Sequence, residues 1–449
     1  MVSATRSRSR SRSGPAAGRG QGRSRGRSAR GPVAPSAGGP SVSPRAGARS
    51  GGAGASRLQQ LAMVEVAVAL AVAAWVVDPV ALAVVAPVAL ALVLLAVVRR
   101  RGRSLPEWLR TLVAFRARVR RARSAPVPDP GTDPALAPLV ECDPALRTYR
   151  HTPGDSRDRR PIGLIGDGAF LTAVLQVESD ATALRAERDR RPLPLALVRD
   201  ALEVDGIRLE SAQVVVHTQP APALGLPQDS IAVTNYTRLG AGAGVPAVRI
   251  TWVALKLDPE RCPEAVAARG GGLTGAQKCV ARVAQHLSSR LTGAGFRVTV
   301  LTDEELTAAV ATSAGANPMV TVQAATSGRR QRRTEESSRD WRCDNRRHTT
   351  YWVRRWPQLG GAGASLAQLV ALLTAVPALA TTFSLTLSGA GREVGVRGHL
   401  RITGRSETEL TAARRALEQA ARDARVGLSR LDREQLPAAL ATLPLGGAR

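Results

Sequence analysis

Residues 61–98 read LAMVEVAVALAVAAWVVDPVALAVVAPVALALVLLAVV, and this apolar stretch decides the predicted fold. A helix needs roughly 20 apolar residues to cross a bilayer, and the stretch is nearly twice that long. Asp78 and Pro79 lie near its middle and favour a turn between two spans. The sequence therefore predicts a two-helix transmembrane hairpin over residues 58–98. The alternative is a pair of buried core helices, which is disfavoured because the only charged residues, Glu65 and Asp78, lie near predicted helix ends.

Arginines flank the apolar stretch on both sides, and four of them follow it almost at once. Basic residues next to a membrane span stay on the cytoplasmic side. We therefore expect a cell-membrane protein with two spans and both termini in the cytoplasm. The residues expected to contact the membrane or a partner are Trp75, Asp78, Pro79, Arg99, Arg100, Arg101, Arg103 and Trp108.

The formal charge of +27 is concentrated near the predicted membrane segment. Residues 1–60 contain twelve arginines and no acid, and residues 99–123 contain ten arginines and one glutamate, so residues 124–449 carry only +8. A basic residue near an anionic membrane surface contributes about 1 kcal/mol of attraction. This distribution favours anionic lipid headgroups over nucleic acid as the partner. The four cysteines have no CxxC spacing, which fits a reducing compartment.

The remaining chain divides by composition into a tail, a linker and an α/β (α+β) region. Residues 104–123 suit a juxtamembrane helix with Trp108 at headgroup level, or a helix packed by a partner protein. The predicted parts are a disordered Arg/Ser/Gly-rich tail (1–57), the transmembrane hairpin (58–98), a basic juxtamembrane helix with a Pro-rich linker (99–138), a cytoplasmic α/β subdomain (139–325), a basic linker (326–337) and a second α/β subdomain (338–449).

Both predicted subdomains have the element order ββαββαβα, which indicates a duplication. Residues 304–312 (EELTAAVAT) align with residues 434–442 (EQLPAALAT), and a long predicted helix precedes each of them at nearly the same offset. The alternative is chance similarity between two alanine-rich helices.

No pattern in the sequence predicts a catalytic, cofactor-binding or metal site. A P-loop needs Gly-Lys-Ser/Thr, but Lys256 follows Leu255 and Lys278 follows Gln277. The histidines have no metal-ligand spacing, and no nucleophile elbow occurs. Arginine and aromatic residues crowd one predicted hairpin, where they indicate either a binding surface or an ordinary hairpin core. Its aromatic residues, the candidate interface, are Trp341, Tyr351, Trp352 and Trp356.

Four stretches resemble the actinobacterial type VII (ESX) secretion family EccE. They are ECDPALRTY (141–149), VRDALEVDGIRL (198–209), TWVALKLDPERCPEAVAARGGG (251–272) and RRTEESSRDWRCDNRRHTTYWVRRWP (332–357). The resemblance implies a membrane-anchored, non-catalytic subunit of a protein secretion complex. Its partners would be the ATPase EccC and the membrane components EccB and EccD. The family has no catalytic motif to transfer, and no cofactor is expected. The alternative is a membrane-tethered transferase acting on nucleotide-activated substrates, but the acidic metal-binding pair such enzymes need is not evident.

Overall fold

The structure is a computed structural model. It describes residues 53–77, 85–90, 93, 99–100, 103–125, 127–128, 132–154, 160–179, 192–220, 247–327, 331–360, 364–390 and 393–447. The predicted tail therefore lies outside the described residues, except for residues 53–57, which begin the first helix. The sequence also predicts a loop rich in Pro, Gly and Ala over roughly residues 218–246, and this stretch lies mostly outside the described residues.

The described residues of the apolar stretch do not show the predicted transmembrane hairpin. Helix α1 (Ala53–Val77) begins eight residues before the stretch, so its first turns include the polar side chains of Arg57, Gln59 and Gln60. In the second half of the stretch, the described residues 85–90 are helical. Across the described residues, no helix combines the length and the apolar character that a membrane crossing requires. The predicted fold class was therefore wrong in its two-span part.

The basic segment forms a long helix, as predicted. Two short antiparallel strands, β1 (Arg99–Arg100) and β2 (Arg103–Ser104), lead directly into helix α2 (Leu105–Ser124). Glu107 lies in the first turn of α2, and Arg121 and Arg123 lie in its last turn. This distribution of charge complements the helix dipole.

The described part of residues 139–449 is mixed α/β and is built on one twelve-stranded antiparallel sheet. Its strands are β3 (Arg147–His151), β4 (Ile162–Gly166), β5 (Leu171–Ser179), β8 (Ser211–Pro220), β9 (Ala247–Leu257), β10 (Phe296–Val300), β11 (Thr334–Glu336), β12 (Trp341–Cys343), β13 (Arg346–Arg355), β14 (Ala380–Ala390), β15 (Glu393–Gly404) and β16 (Gly427–Arg430). Strands β6 (Glu203–Val204) and β7 (Ile207–Arg208) form a separate pair.

Helices cover both faces of the sheet and enclose two hydrophobic cores. The further helices are α3 (Ala137–Cys142), α4 (Leu195–Asp200), α5 (Pro263–Ala267), α6 (Gly272–Gly293), α7 (Asp303–Ala314), α8 (Pro318–Ser327), α9 (Leu366–Thr374), α10 (Glu407–Asp423) and α11 (Gln435–Leu440). The first core lies between the sheet and α4, α6, α9 and α10. The second core lies on the opposite face, beneath α3, α7 and α11.

Side-chain alternation along the strands assigns residues to these two cores. In β14, Phe383 and Leu385 belong to the first core, whereas the intervening Ser384 lies on the second-core face and is fully buried. Local signals in the sequence define the helix starts. Thr302 and Glu305 form a capping box at α7, and the hydroxyl of Ser406 accepts a hydrogen bond from the Glu409 N–H at α10.

The sheet consists of two halves with the same strand order. From one edge to the other the order is β11-β12-β13-β15-β14, then β8-β9-β5-β4-β3. In each half the last strand, β10 or β16, pairs with the third strand, β5 or β13. The halves join through β14 and β8 in the middle of the sheet. The boundary predicted at residues 326–337 stays a prediction, and strands on both sides of it belong to this one sheet.

On the second-core face, the segment that follows α7 and the segment that follows α11 each contact the other half. After α7, in the first half, the backbone N–H of Asn317 donates to the Asp344 carboxylate of the second half at 2.7 Å. After α11, in the second half, the Gly446 N–H donates to the Gln213 side chain of the first half at 2.8 Å. Each half therefore completes the packing of the other.

Candidate functional site

Helix α2 is fastened to the edge of the sheet by one strong ion pair. The Arg118 guanidinium donates two hydrogen bonds of 3.0 Å to the Glu336 carboxylate on β11, and a third of 2.6 Å to the carbonyl of Arg433. The Glu336 side chain is only 5% exposed. A bidentate arginine–carboxylate pair fixes the orientation of the two groups as well as their separation. Helix α2 is therefore held in a defined position on the folded region.

Two further arginines hold the ends of α2. The Arg332 guanidinium donates to the carbonyls of Ala122 and Ala125 at the helix C-terminus. The Arg433 guanidinium lies 5.0 Å from the centre of the Trp108 ring. Trp108 is half-buried and packs against its own domain in this arrangement.

The opposite face of α2 is exposed and combines apolar and basic side chains. Leu109 and Val113 are exposed by 42% and 65%. The exposed arginines of this helix are Arg110, Arg116, Arg120, Arg121 and Arg123. A basic helix that also presents apolar side chains is typical of binding to an anionic membrane surface. We call this set of seven residues the basic face.

The other predicted membrane-contact residues are scattered. Trp75 is 76% exposed near the end of α1. Arg99 and Arg100 lie in β1, and Arg103 pairs with Arg100 across the β1–β2 ladder. Asp78, Pro79 and Arg101 lie outside the described residues.

The candidate aromatic interface does not form one surface. Trp341 is buried in the second core, where its ring centre lies 5.0 Å from that of His348. Tyr351 is buried in the first core, and its hydroxyl donates to Glu418 at 2.9 Å. Trp352 and Trp356 are half-buried. For Trp341 and Tyr351 the structure therefore supports the alternative of a hairpin core, because successive strand residues face opposite sides of the sheet.

A strip of polar side chains that the sequence analysis missed lies on the second-core face. The C-terminal segment, residues 441–447, crosses this strip, and its backbone forms hydrogen bonds with the side chains below. Gln213 and Ser384 donate to the carbonyl of Ala441 at 2.9 and 3.0 Å, and Ser211 donates to the carbonyl of Gly446 at 2.6 Å. The alternation of Thr and Ser with apolar residues in β14 was the available signal for this strip.

A buried ion pair and a half-buried carboxylate hold the start of β11 in place. Arg333 donates to both carboxylate oxygens of Asp344, at 2.7 and 2.8 Å, and both side chains are almost fully buried. Glu141 of α3 accepts from the backbone N–H groups of Arg333 and Thr334. Burial raises the pKa of Glu141, and these hydrogen bonds oppose the rise. They join α3, which precedes the edge strand β3, to β11 at the other edge.

On the first-core face, a groove of about 550 Å³ runs over the middle of the sheet. Val214, Val216 and Phe383 form part of its apolar floor, and Arg249 and Ser365 lie at its margin. The described residues that line the groove form no catalytic constellation. Within the described residues, no group of three or more His, Cys, Asp or Glu side chains could hold a metal ion.

One comparison with known proteins gives a family. Residues 245–353 match the family model EccE, described as "Putative type VII ESX secretion system translocon, EccE". This match confirms the resemblance seen in the sequence. It includes all of the stretch 251–272 and most of the stretch 332–357, and it runs from the start of β9 into β13. No curated protein matches the chain.

Proposed function

We propose that this chain, which matches the EccE family over residues 245–353, is a membrane-anchored, non-catalytic subunit of a type VII secretion complex. The family match carries the proposal. The matched residues include β9 of the first half and β12 of the second half, together with the segment that links the halves. The match therefore covers the later elements of the first half and the first strands of the second.

The basic face of α2 supports attachment to an anionic membrane surface. Arg118, Arg332 and Arg433 hold α2 on the folded region, so that its exposed arginines form a fixed surface. Anionic lipids of the cytoplasmic leaflet attract such a surface by about 1 kcal/mol per arginine. We place the folded region, with both chain ends, on the cytoplasmic side of the cell membrane.

The proposed partners are EccB, EccC and EccD. In this assignment EccC supplies the ATPase activity and the present chain supplies structure. Neither lysine lies in a Gly-Lys-Ser/Thr element, and a P-loop nucleotide site needs that lysine to reach the terminal phosphates. We expect purified protein to show no ATP hydrolysis above background, measured as phosphate release. Hydrolysis abolished by a point substitution in this chain would contradict the non-catalytic role.

The assembly experiment uses the full chain with an affinity tag, expressed in a host that contains the secretion system. Membranes are solubilised in mild detergent, and co-purifying proteins are identified by mass spectrometry. We expect EccB, EccC and EccD in stoichiometric amounts. Recovery of the chain without any of the three would overturn the proposal.

The membrane experiment tests the basic face separately. The triple variant Arg110→Glu, Arg116→Glu, Arg120→Glu is compared with a control that reverses three exposed arginines elsewhere, Arg339, Arg354 and Arg422. Binding to phosphatidylcholine vesicles with and without phosphatidylglycerol is measured by flotation. We expect the first variant to lose at least about 100-fold in affinity for the anionic vesicles. Equal losses in both variants would point to net charge alone rather than to this face.

A further inference from the structure

Arg401 lies in the middle of the sheet and is completely buried. On β15 it stands opposite Thr350 of β13 and Thr382 of β14. One nitrogen of its guanidinium donates to the carbonyl of Ser313, at the end of α7, and to the Thr382 hydroxyl at 3.4 Å. Its Nε and Nη1 atoms have no hydrogen-bond partner in the described part of the chain.

Other buried basic side chains among the described residues are paired with a carboxylate, whereas Arg401 is not. Lys256 pairs with Glu210 at 3.0 Å, and Arg333 pairs with Asp344 at 2.7 Å. No ion pair with a carboxylate is found for Arg401 among the described residues. The Cys343 thiol is the acid that influences it, but burial raises the pKa of that thiol, so it stays protonated at neutral pH. A buried guanidinium without a counter-charge is strongly destabilising.

Further unpartnered polar atoms belong to the same part of the second core. His348 is fully buried, with Nδ1 at 3.0 Å from the Thr403 hydroxyl and no partner for Nε2. Burial and the nearby Arg401 hold the pKa of His348 well below its usual value, so the ring is neutral. The hydroxyls of Thr350 and Ser313 are also buried without a partner among the described residues. These side chains lie on β13, where Thr350 pairs with Arg401, and on α7, where the Ser313 carbonyl accepts from Arg401.

The residue that follows α7, Gly315, packs against His348. Gly315 has φ +72°, and a Cβ atom there would lie 2.7 Å from Cε1 and 3.3 Å from Nε2 of His348. A side chain at this position would fill the space next to the unpartnered histidine nitrogen. Gly315 therefore packs directly against the His348 ring, and any side chain there would displace it.

We propose that Arg401, His348, Thr350 and Ser313 form a binding site for a small inorganic anion. Arg401 supplies the positive charge and two N–H donors. The site uses the tautomer in which the Thr403 hydroxyl donates to Nδ1 of His348 and Nε2 carries the hydrogen as a further donor. The two hydroxyls can turn their hydrogens towards the same anion. Because these side chains are enclosed, the anion is small and is bound as the end of α7 packs. This site is independent of the proposed role in secretion.

The test uses the full chain, exchanged by gel filtration into a buffer whose only anion is gluconate. Chloride, phosphate or sulfate is then added at constant ionic strength, and the thermal unfolding midpoint is recorded. We expect a saturable rise with one of these three anions, and ion chromatography of denatured protein should find about one such anion per chain. The identity of the stabilising anion decides between a halide and an oxyanion.

Three variants connect the effect to this site. Arg401→Met should abolish the saturable rise, and Thr350→Val, which removes one hydroxyl, should weaken binding about tenfold. Thr386→Val is the matched control, because the Thr386 hydroxyl is also buried and unpartnered but lies near the C-terminal segment. If Arg401→Met fails to fold, the comparison of anion-dependent stabilisation in Thr350→Val and Thr386→Val tests the proposal instead. No saturable stabilisation of the wild type by any of the three anions, or equal effects in both threonine variants, would overturn the proposal.

Discussion

At the scale of single residues, the ion pair between Arg333 and Asp344 should be the most costly polar contact to break. Both side chains are buried, and Asp344 also accepts the N–H of Asn317. Arg333→Met would leave the carboxylate buried and unpaired, which costs about 3–5 kcal/mol. The control Arg342→Met breaks the exposed pair with Glu335 and should cost less than about 1 kcal/mol. Urea unfolding of both variants measures the two losses in the free energy of unfolding. Equal losses would contradict the prediction.

His217 should make the protein acid-sensitive. Its Nδ1 lies 2.9 Å from the Thr382 hydroxyl, and burial, with Arg401 and Arg346 nearby, lowers its pKa to about 3. Because the folded pKa lies below the unfolded value of 6.5, this histidine contributes full stability above pH 6.5 and loses it as the pH falls towards 3. At pH 4.5 the loss is about 3 kcal/mol.

The variant His217→Gln isolates this effect, because glutamine is polar and does not titrate. Relative to its own value at pH 7, its free energy of unfolding should fall less at pH 4.5 than that of the wild type. Urea titrations at the two pH values give both differences. Parallel falls in the two proteins would show that His217 is not the responsible group.

The sequence predicted some of these residues and not others. The aromatic hairpin was predicted, and Asp344 lies in its turn with φ +53°. Arg401 was not singled out, because an arginine in a strand ordinarily faces solvent. Its burial depends on α7 crossing from the other half of the sheet, which no local pattern encodes.

At the scale of elements, α7 packs against β4 at a point that requires glycine. A Cβ at Gly163 would lie 2.5 Å from backbone atoms of Thr302 and Asp303, so Gly163→Ala must displace the start of α7. We expect a loss of about 2 kcal/mol or more in the free energy of unfolding. Gly154→Ala is the control, since no atom lies within 4 Å of a Cβ there. Chemical denaturation should give a clearly lower free energy of unfolding for Gly163→Ala than for Gly154→Ala. An unchanged free energy of unfolding in Gly163→Ala would contradict the close packing of α7 on β4.

Elements with strong periodicity were predicted well. The helix expected at residues 104–123 is α2, and the predicted aromatic hairpin is formed by β12 and β13. The apolar stretch 61–98 shows the limit of the same reasoning. Its composition alone satisfied the length rule for two spans, but the described residues contain no helix that meets the requirement. Composition does not determine where a helix begins, and α1 begins in polar sequence.

At the scale of the whole molecule, the C-terminal segment connects the two halves. Leu443 and Leu445 belong to the second core with Val215 and Trp252 of the first half. Because each half packs against chain from the other, the described α/β region should unfold in one transition. Calorimetry checks this as agreement between the calorimetric and the van 't Hoff enthalpies. Two resolved transitions would show that the halves are independently stable.

Removal of the C-terminal segment should therefore destabilise the first half as well as the second. A chain ending at Leu440 lacks the buried side chains of Leu443 and Leu445, and it leaves Ser211 and Gln213 of β8 without their partners on Gly446. Losing one buried leucine costs about 2–5 kcal/mol, and the unpaired polar groups add to that. A chain ending at Gly447 is the control. Hydrogen exchange should rise in β8 and β9 of the shorter chain only, and protection of these strands at the control level would show that the C-terminal segment merely covers them.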